Sequence, residues 1–316
     1  MLDKLKLDYG LDFRGNQSLA EFTTFKIGGP AKYFVEVGNR VDLQKALQAA
    51  VDNKLKYFII GGGSNLLVSD DGIDGLVILL RGEKTEINGS EIQVFAGNNW
   101  PKFVQFTINS GYEGLEFSGN IPGTVGGAVR GNAGAYGKGV GDFVKEVEVL
   151  VVNDKEVSLK ILNKQECEFE YRESIFKKNL NYVVAEVVFT LPKTGRSKEL
   201  QQKEIAEEAK MRCGKQPLKY PSAGCSFKNV IFSDQMLQYK GWETHGKIAA
   251  GKFIEEAGLK GKQIGGAKIS DEHANFIVNT GNATASDVVQ LISLIKMKVR
   301  DEFGVQLEEE VQYVGF

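Results

Sequence analysis

"KYFIIGGGSNLLVSDDG", Lys56 to Gly72, sets an apolar run of strand length against three consecutive glycines, a second apolar run and a turn. Just ahead of it, "RVDLQKALQAAVDNK" (Arg40 to Lys54) puts Val41, Leu43, Ala46, Leu47 and Ala50 on one helical face. Helix, then strand, then glycine loop is an α/β signature. Glycines after a strand let backbone N–H groups converge on an anion, and Ser64 and Asn65 add polar contacts. The stretch is neither GxGxxG nor followed by a P-loop lysine, so the dinucleotide fingerprint and Walker A are both excluded.

Downstream, "DGLVILL" through "EIQVFAG" has the spacing of short strands, and "NWPKFVQFTINSGYEGLEF" predicts a helix from near Pro101 to Gly111. A second glycine loop follows, "GNIPGTVGGAVRGNAGAYGKGVGD" (Gly119 to Asp142), then the β-rich "VKEVEVLVV" and "NYVVAEVVFTL". Two such loops, each after strand-like sequence, suit a large phosphate-bearing cofactor cradled by backbone from two sides. "SKELQQKEIAEEAKMR" (Ser197 to Arg212) reads as a polar linker helix capped by its serine. Near the end, Val288, Leu291, Ile292, Ile295, Val299 and Phe303 form an amphipathic stripe closed by Gly304.

The 316 residues exceed one small core and predict two or three subdomains. A net charge of -2 argues against general nucleic-acid or membrane-surface binding. No secretory signal or apolar run of about 18 residues appears. The three cysteines, Cys167, Cys213 and Cys225, share no CxxC spacing, and His245 and His273 are the only histidines. No metal site and no disulfide framework are expected, and the reading is a reduced, cytoplasmic, monomeric protein.

Three short motifs stay open at this level. Arg172 in "FEYRESIF" reads first as a surface arginine paired with Glu170 or Glu173, and second as a fixed guanidinium for a developing oxyanion. In "VQLEEEVQYV" strand alternation would put Leu307, Glu309 and Val311 on one face and Glu308, Glu310 and Gln312 on the other, with either face buried. In "SAGCSFKN" (Ser222 to Asn229) both Cys225 and Ser226 are possible proton donors, or a small buried side chain and a turn hydroxyl.

Taken in order, "TTFKIGGPA", "GGGSNLL", "IPGTVGGAVRGNAGAYG", "YRESIF", "AGCSFKN", "AGLKGKQIGGAKIS", "HANFIVN" and "FGVQLEEEV" resemble the UDP-N-acetylenolpyruvoylglucosamine reductase family over nearly the whole chain after its first twenty residues. The resemblance implies an α+β fold. Residues 1–196 would form an FAD-binding region of vanillyl-alcohol-oxidase type in two α+β subdomains, and residues 197–316 a substrate domain. It implies non-covalent FAD, held by Ile27, Gly28, Gly61, Gly62, Gly63, Ser64, Asn65, Leu66, Pro122, Gly123, Thr124, Gly127, Asn132, Ala133 and Gly134. NADPH would be the reductant and UDP-N-acetylglucosamine enolpyruvate the substrate, with hydride added at C3 and a proton at C2. Arg172 and Glu310 would stabilise or orient the enolate-like intermediate, and Lys215, Asn229 and His273 would contact the nucleotide sugar.

Members of the family commonly read "GSxFKN" at the proton donor, which in register leaves Cys225 at the acid position and Ser226 at the variable one. A thiol, ordinarily titrating near about 8.5, yields its proton more readily than a hydroxyl. Cys225 is therefore expected to be the general acid, neutral when the intermediate forms. About fifty residues separate Arg172 from Cys225, the length of the shorter family type that lacks a tyrosine-bearing loop. A histidyl-flavin oxidase of the same fold is excluded in the N-terminal half, where the chain has no histidine before His245.

Overall fold

The computed structural model describes every residue except Tyr136 and Lys215, and all side chains but those of Met211, Arg212 and Cys213. Two compact units divide the chain. Met1–Gln17, Ala31–Gly62 and Asp74–Lys210 make the first, and Ser18–Pro30, Gly63–Ile73 and Met211–Phe316 the second. Each has its own apolar core, and the architecture is α+β.

In the first unit a four-stranded sheet runs in the order Arg14–Ser18, Pro30–Val37, Ile73–Leu80, Tyr57–Ile60. Its last two strands are parallel, and Ile73–Leu80 is buried almost throughout, which is why it reads as an unbroken apolar run. Helix Arg40–Asp52 is capped by Asn39, whose Oδ1 accepts from Asp42 N–H at 2.9 Å. Leu43, Ala46, Leu47 and Ala50 are buried, but Val41 stays 55 % exposed, so the apolar face is narrower than its periodicity suggests. A second, antiparallel sheet has the order Val157–Asn163, Val144–Val152, Tyr182–Thr190, Glu91–Phe95, Thr85–Asn88.

The single boundary expected after residue 196 and the two compact units divide the chain at different places. Helix Lys198–Cys213, capped by Ser197 Oγ, stays with the first unit as far as Lys210. Ile205 packs against the first core, and the rest of the hold is a polar contact that no apolar pattern announces. Fully buried Gln201 donates from Nε2 to Tyr112 O at 2.9 Å and to Glu116 Oε1 at 2.6 Å, and Asn120 Nδ2 donates to Ile205 O at 2.8 Å. Conversely, Ser18–Pro30 and Gly63–Ile73 belong to the second unit. There Thr24 N–H donates to Gly63 O at 3.1 Å and Thr24 Oγ1 to Ser222 O at 2.7 Å.

The second unit is built on an antiparallel sheet ordered Ser222–Cys225, Phe276–Asn279, Ala267–Ile269, Gln263–Ile264. Helix Ala285–Phe303 buries Val288, Leu291, Ile292, Ile295 and Val299, and Gly304 closes it at φ 68°. The strand expected along "VQLEEEVQYV" is shorter than alternation suggests. Only Gln312–Val314 pairs, parallel to Leu66–Val68, while Phe227 and Glu309 form a lone bridge. The Leu307, Glu309 and Val311 face is the inward one: both aliphatics are buried, and Glu309 is neutralised by Lys296 at 2.6 Å.

Candidate active site

In the first unit the two glycine loops meet. A Cβ on Gly61 would lie 2.3 Å from Thr124 Oγ1, and one on Gly62 would lie 2.6 Å from Gly123 Cα. Neither glycine leaves room for a side chain, Gly61 facing the Thr124 side chain and Gly62 the Gly123 backbone. Thr124 caps the one-and-a-half-turn helix Val125–Arg130, accepting from Gly127 N–H at 3.4 Å. The helix's leading amides point into the protein: Val125 N–H donates to Asn98 O and Gly126 N–H to Ala96 O. The head of this helix therefore anchors the loop. Asn132, at φ 40°, ties down the loop's far end, accepting from Gly141 N–H at 2.9 Å and donating to Glu170 O at 2.7 Å. Ala133 pairs with Ala128 and Val140, and Gly134 with Gly139 across a two-residue ladder. Pro122 and Gly127 are exposed.

Arg172 stands at the third position of a tight turn. Glu170 and Glu173 exchange both backbone hydrogen bonds around it, and its φ is 59°, a region bulky residues avoid. Its Nη1 donates to Gly134 O at 3.0 Å, and its guanidinium lies 5.5 Å from the centre of the Tyr171 ring. The arginine is thus fastened to the second glycine loop, which a merely solvated side chain would not be. Nearby, burial lowers the pKa of Arg130 despite the charge of Glu173.

In the second unit Gly63, at φ 61°, packs so closely that a Cβ would lie 2.0 Å from Phe22 O. Asn65 Nδ2 donates to Glu310 O at 2.9 Å, and Asn65 O accepts from Gln312 N–H at 2.9 Å. Leu66 lies in the strand beside Gln312, and a Cβ on Gly224 would reach within 4.0 Å of Ser64 O. Ile27 is buried in the core, and Gly28, at φ 142°, presses on Val68, so these two present backbone rather than side chain.

The "SAGCSFKN" strand carries a bulge between Ser222 and Cys225, with Gly224 at φ 79°. Ser226 fixes the register that follows. Its N–H donates to Asn275 O at 2.8 Å, and its carbonyl accepts from Glu310 N–H at 2.8 Å. Asn275 accepts from Phe227 N–H at 3.0 Å and donates to Phe227 O at 2.8 Å. Cys225 is half-buried, Ser226 only 6 % exposed. Cys225 and Glu310 are therefore brought together on adjacent segments, with Asn65 of the first glycine loop beside them. Of the three glutamates, Glu308 pairs with Lys228 at 2.5 Å and Glu309 with Lys296.

Among the other candidates, Asn229 Oδ1 accepts from Ala250 N–H at 3.3 Å, steadying the start of helix Ala250–Glu256. His273 accepts at Nδ1 from Asn275 N–H at 3.2 Å, which places the proton of the neutral ring on Nε2. Burial lowers its pKa and favours that neutral form. Lys215 lies outside the described residues. Cys167 is fully buried, and burial pushes its thiol up to about 12. Sequence reasoning missed Asn275 and Thr24, although they lie inside "HANFIVN" and "TTFKIGGPA"; their roles are backbone hydrogen bonds, which leave no pattern in composition. Among the described residues no cluster could hold a metal ion, and no helix is long and apolar enough to cross a membrane.

Two family models match the chain: an FAD binding domain over residues 31–159 and a UDP-N-acetylenolpyruvoylglucosamine reductase C-terminal domain over residues 216–314. The reductase of that name from Lachnoclostridium phytofermentans is 40% identical over 95% of this chain and 92% of its own. The one from Anoxybacillus flavithermus is 40% identical over 95% and 93%. The crystal structure of the Thermus caldophilus reductase superposes with a TM-score of 0.74 at 35% identity, covering 96% of this chain and 98% of the other. With a relative 40% identical over 95% of its length, the protein belongs to the UDP-N-acetylenolpyruvoylglucosamine reductase family.

Proposed function

We propose that this chain reduces UDP-N-acetylglucosamine enolpyruvate to UDP-N-acetylmuramate with NADPH, supplying peptidoglycan precursor, and that Arg172, Cys225 and Glu310 carry the chemistry. The observation that carries the residue assignment is the hydrogen-bonded register joining Cys225–Ser226 to Glu310 and Asn65. The reductase activity itself follows from family membership along the whole chain.

The residues fit FAD: Gly61 and Gly62 pack so closely on Thr124 and Gly123 that only glycine is admitted, which brings the two glycine loops together. Gly63, Ser64, Asn65, Leu66, Ile27, Gly28, Pro122, Gly127, Asn132, Ala133 and Gly134 complete the assigned contacts. Held there, FAD would supply hydride-transfer chemistry, relaying from NADPH the hydride that C3 of the enolpyruvyl group receives. Charge then builds on the enolpyruvyl carboxylate, and Arg172 supplies the fixed cation that stabilises it. Glu310 orients the same group. Cys225 keeps a thiol proton and delivers it to C2, completing the lactyl ether. His273 and Asn229 contact the nucleotide sugar, as does Lys215. In this reading the protein is a cytoplasmic monomer on which cell shape and division depend, residues 1–196 hold FAD and residues 197–316 hold substrate.

The test is anaerobic. The purified yellow protein should be bleached by NADPH and recoloured by the enolpyruvyl nucleotide, with UDP-N-acetylmuramate as product. Bleaching that only oxygen reverses would sink the assignment.

The glycine cradle makes its own prediction. Gly62→Ala sets a Cβ against the Gly123 backbone, which has no flexible end to yield. Overpacking of that kind costs about 1–3 kcal/mol, which at about 1.4 kcal/mol per decade is about 5- to 150-fold in FAD affinity if the loops part to relieve it. Titration of apoprotein with FAD measures it, and Gly195→Ala, which meets nothing within 4 Å and needs no left-handed backbone, serves as control.

A further inference from the structure

We propose that Lys177 is a positioning residue for Arg172, holding the arginine's backbone in its left-handed conformation so that the guanidinium keeps its aim. This rests on the reading that Arg172 acts on the substrate carboxylate. Lys177 Nζ donates to Arg172 O at 2.5 Å, and the lysine side chain is only 11 % exposed. A lysine that gives up most of its hydration to grip a backbone carbonyl is an expensive way to make a surface turn.

The turn explains the need. Arg172, at φ 59°, occupies a backbone region that a Cβ-bearing residue enters only under constraint. Three constraints converge on it: the paired hydrogen bonds of Glu170 and Glu173, the bond from Nη1 to Gly134 O, and the Lys177 ammonium on its carbonyl. The lysine itself is rigidly mounted. It sits on the single-turn helix Ile175–Lys178, pinned by buried Phe176 and by fully buried Ser174, whose Oγ donates to Arg130 O at 2.6 Å. Glu173, 3.8 Å from Nζ, balances its charge. Lys177 thus links a buried platform to the carbonyl of Arg172, while the arginine's far end is held by the glycine loop.

A double-mutant cycle tests it on the flavin-loaded enzyme. Two quantities are read: reoxidation of the NADPH-reduced enzyme by the enolpyruvyl nucleotide, in stopped flow, and calorimetric affinity for UDP-N-acetylmuramate. Lys177→Met should lower the reoxidation rate about tenfold and the affinity by less, within the range by which contacting residues couple, and leave reduction by NADPH unchanged. Lys177→Arg should recover most of the loss. In an Arg172→Ala background, Lys177→Met should cost nothing more. A full second loss in that background, or Lys177→Met at wild-type values, overturns the proposal. Should Lys177→Met fail to retain flavin, Lys177→Gln, which keeps a donor, is read through the same cycle. Arg172→Ala at wild-type rate would instead refute the role of Arg172 itself.

Discussion

Cys225→Ala is expected to slow turnover by about 10²–10⁴-fold, the contribution of a positioned general acid, while reduction by NADPH proceeds as before. The rival donor, Ser226, would need the strand to slip by one residue. That slip would break the bonds of Ser226 N–H to Asn275 O, of Glu310 N–H to Ser226 O, and of Phe227 to both ends of the Asn275 amide. Ser226→Ala should therefore cost far less. The pH profile gives an independent reading. The acid must be neutral when the intermediate forms, so activity falls as pH rises through the thiol range, which for an ordinary cysteine centres near about 8.5. Cys225→Ser replaces it with a hydroxyl that does not titrate there. Residual activity in that variant should persist to higher pH, with the alkaline fall displaced upward. Normal C2 protonation in Cys225→Ala, or its loss in Ser226→Ala, would transfer the role to the serine.

Much of the fold is legible in the amino-acid sequence itself. The glycine triplet, the stripe of helix Ala285–Phe303 and the apolar run of Ile73–Leu80 are written in side-chain type, and side-chain type is what a sequence displays. What escapes such a reading is polar and non-local. Helix Lys198–Cys213 looks like a linker because its anchors are few: Gln201, held by a carboxylate and a carbonyl, and Ile205 against the core. The two N-terminal segments of the second unit are recruited by Thr24, an ordinary residue between Thr23 and Phe25. The glutamates of "LEEEV" divide by partners elsewhere in the sequence, Lys228 and Lys296. Arg172 illustrates the same limit from the other side. Its residue type suggests a surface ion pair, whereas its backbone conformation, the Lys177 ammonium on its carbonyl and its bond to Gly134 mark it as constrained.

That constraint shapes the second large effect. Arg172→Ala should lower the rate of enzyme reoxidation by the enolpyruvyl substrate by about 10²–10³-fold, the usual cost of removing one preorganised donor from a developing anion. Because a fixed cation is needed most where charge has developed, the loss should fall on the maximal reoxidation rate more than on substrate affinity. Arg172→Lys should recover little: an ammonium on a flexible stem cannot donate to Gly134 O and to a carboxylate in the planar geometry a guanidinium offers. Stability separates this from a folding defect. Neither variant changes the backbone demand at φ 59°, since alanine and lysine carry the same Cβ as arginine. Thermal melting should therefore shift by only a few degrees, the scale of losing about one hydrogen bond. A variant that reoxidises normally, or one whose slow turnover is matched by loss of flavin and a collapsed melting transition, would remove Arg172 from the chemistry and leave it a structural turn residue.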